Sequence, residues 1–97
     1  MLDGKYSISL NTPIGLINGN ITLITAGENV SGILETMGMK NNFLGKKIDD
    51  SRCQFKGNFN SPLGNIQYTA DCVINGNNIE LVANSNKGNF KLQGKRL

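Results

Sequence analysis

The chain has 97 residues, ten Lys/Arg against seven Asp/Glu for a net charge of +3, and no histidine. That length supports one domain with a compact core and little room for a second lobe or a deep cleft. The small, scattered basic excess lacks the footprint of a nucleic-acid binder, and the missing imidazole removes Ser-His-Asp and Cys-His catalysis and most zinc chemistry.

Period-two alternation sets the elements. Tyr6, Ile8 and Leu10 alternate with Lys5, Ser7 and Ser9, which predicts a first strand over 4–11 ending at the turn Thr12-Pro13-Ile14-Gly15. Strands over 16–25, 29–36 and 39–48 follow, separated by Ala26-Gly27 and Met37-Gly38. Asp49-Asp50 reads as a hairpin turn into a strand over 51–60, and Ser61-Pro62-Leu63-Gly64 turns the chain into 65–74. There Ile66, Tyr68, Ala70, Cys72 and Ile74 alternate with Gln67, Thr69 and Asp71. Asn75-Gly76 leads to 78–85, and Asn86-Lys87-Gly88 to 88–97, where Phe90 and Leu92 alternate with Asn89, Lys91 and Gln93. Twelve glycines and fifteen asparagines suit so many tight turns, and no helix of useful length fits.

Shifting the sequence by 49 residues aligns Leu10-Asn11-Thr12-Pro13-Ile14-Gly15-Leu16-Ile17 with Phe59-Asn60-Ser61-Pro62-Leu63-Gly64-Asn65-Ile66 without a gap. Gly45-Lys46-Lys47-Ile48 falls on Gly94-Lys95-Arg96-Leu97, and Tyr6 on Phe55. The identities lie at turns and strand ends while apolar replaces apolar between them, as a duplicated β unit would leave. A single domain over 1–97 is thus expected to contain repeats over 1–48 and 50–97. Eight antiparallel strands in an up-and-down meander, all-β, are expected to curl into a closed barrel, which removes exposed edges. A two-sheet sandwich, one sheet per half, is the alternative.

With Pro62-Leu63 as the centre of a two-residue turn, Phe59 faces Ile66, Gly57 faces Tyr68, Phe55 faces Ala70 and Cys53 faces Cys72. The first half gives Leu10 with Ile17, Ile8 with Gly19 and Tyr6 with Ile21. The cysteine pair then lies on the buried face, with three readings open: two reduced apolar-type cysteines, a cross-strand disulfide, or a redox or metal role. The first suits a cytoplasmic chain. The third lacks a CxxC spacing, a histidine and a nearby cationic cluster. Asp3, Glu28, Glu35, Asp49, Asp50, Asp71 and Glu80 fall mostly in turns or at outward positions, and no pair reads as an acid/base dyad. The doublets Lys46-Lys47 and Lys95-Arg96 read as edge-blunting charge. No phosphate-binding glycine motif is present, and all six aromatics can be assigned to the apolar face.

Gly4-x-Tyr6, Leu10-x-Thr12-Pro13-Ile14-Gly15, Ser31-Gly32, Ser61-Pro62-Leu63-Gly64-x-Ile66-x-Tyr68 and the closing Gly94-Lys95-Arg96 span nearly the whole chain. This pattern resembles a family of small, poorly characterised β modules of anaerobic bacteria. They occur alone or appended to larger enzymes such as flavin-dependent oxidoreductases, and the resemblance implies an accessory role. The chain is more loosely similar to the lipocalin and avidin superfamily of eight-stranded barrels, where a Gly-x-Trp opens the first strand and a late basic residue covers it. Here Tyr6 stands at the tryptophan position and Arg96 is the basic residue.

These features point first to a non-enzymatic module whose barrel takes a small apolar or amphipathic ligand in its interior or mouth. Tyr6, Phe55, Tyr68 and Phe90 are the candidate lining and Arg96 the candidate polar contact, with no cofactor and no metal. The second reading is a protein-interaction or accessory module, docking to an enzyme or to a second copy of itself. The N-terminus lacks a charged segment followed by an apolar one, and no apolar run is long enough to span a bilayer. A cytoplasmic location without membrane contact is therefore expected.

Overall fold

The computed structural model describes residues 2–12, 15–36, 38–61, 64–86 and 88–97, with the side chains of 11, 12 and 59–61 outside that description. The turn centres expected at Pro13-Ile14 and Pro62-Leu63 also lie outside it. Eight strands are present: β1 Gly4–Thr12, β2 Gly15–Ala26, β3 Asn29–Thr36, β4 Met39–Asp49, β5 Arg52–Ser61, β6 Gly64–Asn75, β7 Asn78–Ser85 and β8 Gly88–Arg96. Every expected strand limit falls within one residue of these.

The strands pair in chain order and the sheet closes on itself. Closure is made by β1 against β8, antiparallel, from Tyr6↔Arg96 to Ser9↔Gln93. The sandwich alternative does not hold, because β4 and β5, the strands that would belong to different sheets, are paired from Phe43↔Gly57 to Asp49↔Arg52. Both hairpin registers follow the sequence: Cys53↔Cys72, Phe55↔Ala70 and Gly57↔Tyr68 in one, Tyr6↔Ile21 and Ile8↔Gly19 in the other.

One residue in two points inward, and the inward rows carry the apolar side chains. The buried set runs from Leu2 and Tyr6 through Ile21, Leu23, Val30, Phe43, Phe55 and Cys72 to Ile79 and Leu81, with no charged side chain buried among the described residues. Large faces small across the interior, as volume conservation requires. The Tyr68 ring covers Gly57, where a Cβ would sit 2.5 Å from the Tyr68 hydroxyl and 2.7 Å from its ring carbon Cζ, so only glycine leaves room for the tyrosine.

Candidate functional site

Antiparallel order puts both chain ends, and the turns after β2, β4 and β6, at one end of the barrel. That end is sealed. Leu2 is buried, and its carbonyl accepts a hydrogen bond from the Tyr6 hydroxyl at 2.8 Å. The Arg96 guanidinium lies 4.8 Å from the Tyr6 ring centre, a cation–π contact, and donates to the Asp3 carbonyl at 2.7 Å. Gly4 keeps this corner clear: its φ is +149°, and a Cβ there would meet the Arg96 guanidinium at 2.5 Å. The Asp3 carboxylate accepts from the Thr25 amide and from the Thr25 hydroxyl, the latter at 2.8 Å, and these bonds hold its carboxyl below the usual range. Asp3 is therefore a fastening residue, where the sequence pattern suggested a solvated carboxylate.

Of the five candidate ligand contacts, Tyr6 and Arg96 sit at this sealed end with their polar atoms committed to the protein. Phe55 lies mid-barrel, stacked on Phe43 with centroids 4.0 Å apart and touched edge-on by Tyr68 at 6.3 Å. Phe90 lies on another wall, opposite Ala83, inward and partly exposed. The structure thus brings Phe55 and Tyr68 together and keeps Tyr6 with Arg96.

Cover thins toward the other end, where the hairpins β1–β2, β3–β4, β5–β6 and β7–β8 turn. Leu34, Met39, Ile66, Ala83 and Leu92 pack on the core from this side and are only partly buried. Two ladders also part here. β4 and β5 pair no further than Phe43↔Gly57, although both strands continue, and β8 and β1 pair no further than Ser9↔Gln93.

Two polar groups stand out in this apolar half. Among the described residues, the Tyr68 hydroxyl and the Asn41 side-chain nitrogen are shielded from solvent and have no hydrogen-bond partner. Buried polar groups are normally satisfied, and an orphan costs about 1–3 kcal/mol. Burial alone pushes the Tyr68 phenol up to about 12. Asn41 follows the inward row of β4, two residues from Phe43. Shifted by 49 residues along the sequence, its position falls on Phe90. A polar residue in phase with an apolar row is a signal legible in the sequence, and it was not among the candidates.

The remaining candidates have structural partners. Cys53 and Cys72 are free thiols, both fully buried; the hydrogen bond with Cys53, and burial, hold the Cys72 thiol above its ordinary value. Asp49 closes the β4–β5 turn, accepting from the Ser51 amide at 2.9 Å and from Arg52 at 2.7 Å, and its carboxyl falls to about 2. Asp71 faces outward and accepts from Gln54 at 2.9 Å. Concavities of about 610 Å³, over Gly57 and Tyr68, and about 420 Å³, over Ile8 and Gly19, are bordered mainly by outward polar side chains such as Asn58, Gln67, Ser9 and Asn18.

No family model matches the chain and no curated protein does, so membership of the anaerobic-bacterial modules and attachment to an enzyme gain no support. Solved structures are similar in fold. A redesigned β barrel, mFAP1, bound to DFHBI, superposes with a TM-score of 0.78 over 99% of this chain and 94% of its own, at 10% identity. A second, de novo designed fluorescence-activating β barrel gives 0.63 over 98% and 93%, also at 10% identity. The chain is thus an eight-stranded, closed up-and-down antiparallel barrel, similar in architecture to those designed fluorescence-activating proteins.

Proposed function

We propose that the protein is a non-catalytic barrel that holds a small, largely apolar ligand in the half remote from the chain ends. The observation that carries this reading is the asymmetry of cover. The inward apolar side chains at the sealed end, Leu2, Tyr6, Leu23, Val30, Ile74 and Ile79, are buried, whereas Leu34, Met39, Ile66, Phe90 and Leu92 keep partly exposed apolar surface at the other. Apolar surface left on a concave wall is what an apolar ligand covers. Phe55, Tyr68 and Phe90 belong to this reading, while Tyr6 and Arg96 serve barrel closure. That a similar barrel is bound to DFHBI agrees with the ligand's size class.

The test is a titration of ¹⁵N-labelled protein with N-phenyl-1-naphthylamine and, separately, with DFHBI. Saturable shifts are expected at Leu34, Tyr68, Phe90 and Leu92, with Leu2 and Asp3 unmoved. Absence of saturable shifts, or shifts confined to outward residues such as Asn58 and Gln67, refutes the reading.

A further inference from the structure

The two orphaned donors say what such a ligand must carry, an inference that rests on the binding reading above. Gly57 is the cross-strand partner of both Phe43 on β4 and Tyr68 on β6. The Tyr68 ring reaches back over Gly57, so its hydroxyl lies above that residue, on the strand that separates β6 from β4. Asn41 is the next inward residue beyond Phe43 toward the hairpin tips, diagonal to Gly57, where neighbouring side chains on one face come within reach of each other. Phenol and amide therefore project into one region of the interior, at the point where β4 and β5 part.

One acceptor can fill both vacancies. An amide nitrogen can only donate, and it is the nitrogen of Asn41 that is shielded and unpartnered. The Tyr68 phenol, neutral at pH 7 with or without burial, offers an O–H beside its accepting oxygen, so it can join the amide on the same acceptor. Among the described residues no inward cation accompanies them: the inward positions of this half carry apolar or uncharged side chains, Thr36 and Ser85 included, while Lys47, opposite Cys53, and Arg96 lie toward the sealed end. An anion placed there would be buried without a counter-charge, which is strongly unfavourable. An uncharged oxygen acceptor meets no such cost and satisfies two donors at once.

We propose that the ligand is an uncharged, largely apolar molecule with a carbonyl-type oxygen, received by the Tyr68 hydroxyl and the Asn41 amide beside the parting of β4 and β5. The apolar remainder lies along the partly covered wall formed by Met39, Ile66, Phe90 and Leu92.

Three matched probes test this on the full chain: 2-acetylnaphthalene, its apolar analogue 2-ethylnaphthalene, and 2-naphthoate, each titrated into the unaltered protein, Tyr68→Phe and Asn41→Leu. Tyr68→Phe keeps the ring over Gly57 and Asn41→Leu nearly conserves volume, so both variants are expected to fold, as circular dichroism will check. The ketone should bind, with its carbonyl stretch shifted to lower frequency by hydrogen bonding, and 2-naphthoate should bind more weakly. Each substitution should weaken the ketone about threefold to tenfold, the worth of one hydrogen bond, and leave 2-ethylnaphthalene within about twofold. If both neutral probes bind and neither substitution changes their ratio or the carbonyl frequency, the donor pair is wrong and the apolar site stands. Binding of 2-naphthoate at least as tight as that of the ketone overturns the uncharged acceptor. If no probe binds, this inference and the binding reading fall together.

Discussion

Replacing Tyr68 with Phe should make the unliganded protein more stable, the reverse of what removing a buried tyrosine hydroxyl normally does. The ring packs edge-on against Phe55 and covers Gly57, and the substitution keeps that packing. What it removes is a shielded hydroxyl without a partner, whose burial costs about 1–3 kcal/mol. A few tenths of that return as lost dispersion contacts around the vanished oxygen. The net expectation is a gain of about 1 kcal/mol, or a rise of about 5 °C in Tm for a domain of this size. Tyr6→Phe supplies the control: its hydroxyl donates to Leu2 at 2.8 Å, so that variant should lose about 1–2 kcal/mol. Urea unfolding followed by far-ultraviolet circular dichroism measures both. The same hydroxyl gives a second signature in alkali. With the folded phenol at about 12 against an ordinary value of 10.0, the unfolded chain ionises first. Stability is then intact below about pH 10, falls as pH rises toward 12, and levels beyond, for a loss of about 2–3 kcal/mol. Tyr6, also raised by burial, slopes the same way in both proteins and cancels in the difference. If Tyr68→Phe loses 1 kcal/mol or more and keeps the alkaline slope, the hydroxyl has a partner and the reasoning fails.

Gly57→Ala should cost about 2 kcal/mol in urea midpoints, because its Cβ would sit 2.5 Å from the Tyr68 hydroxyl. Tyr68→Leu in the same chain should relieve part of that cost, giving a coupling of more than about 0.5 kcal/mol. Thiol titration of the unreduced protein should find two thiols in denaturant and very slow reaction in native buffer, since Cys53 and Cys72 are free and buried. Asp3→Asn should cost about 1 kcal/mol near pH 7 through its bonds to Thr25. Because the folded carboxyl of Asp3 lies below 3.8, its contribution is present above about pH 4 and lost as pH falls through that folded value. The acid limb of the urea midpoint against pH should therefore be shallower in the variant.

Strand positions and hairpin registers were legible because two local signals agree: a period of two, and turn residues at regular spacing. The Gly57–Tyr68 pair shows how far that reaches, since register alone put a large ring opposite a residue with none. Closure was less legible. Alternation is satisfied equally by two stacked sheets and by one rolled sheet, and the deciding contacts, Tyr6↔Arg96 and Ile8↔Gly94, join residues almost a full chain length apart. Of the partners of Arg96, Tyr6 was implied by the likeness to lipocalin-type barrels, while Asp3 was hidden for a related reason. A basic residue at a strand end also reads as a ligand contact until the Asp3 carbonyl is seen beside it. Asn41 went unnoticed because one polar residue in an Asn-rich chain looks like composition. Only its place in the inward row of β4, shielded and unpartnered, marks it out.

The closure of β1 on β8 also sets how the domain answers to tension. The first residue of β1 and the last of β8 lie side by side at the same end. A pull on the two termini therefore loads that ladder from one end, breaking its hydrogen bonds one pair after another instead of shearing them together. Leu97 donating to Lys5 at 2.9 Å and Arg96 donating to Asp3 at 2.7 Å are the first bonds to meet the load. Once they give way, only the pairs from Tyr6↔Arg96 to Ser9↔Gln93 remain before the sheet opens. The chain would thus behave as a mechanically weak element, latched at its sealed corner, and its interior would be exposed to solvent at forces well below those that shear-loaded β domains withstand.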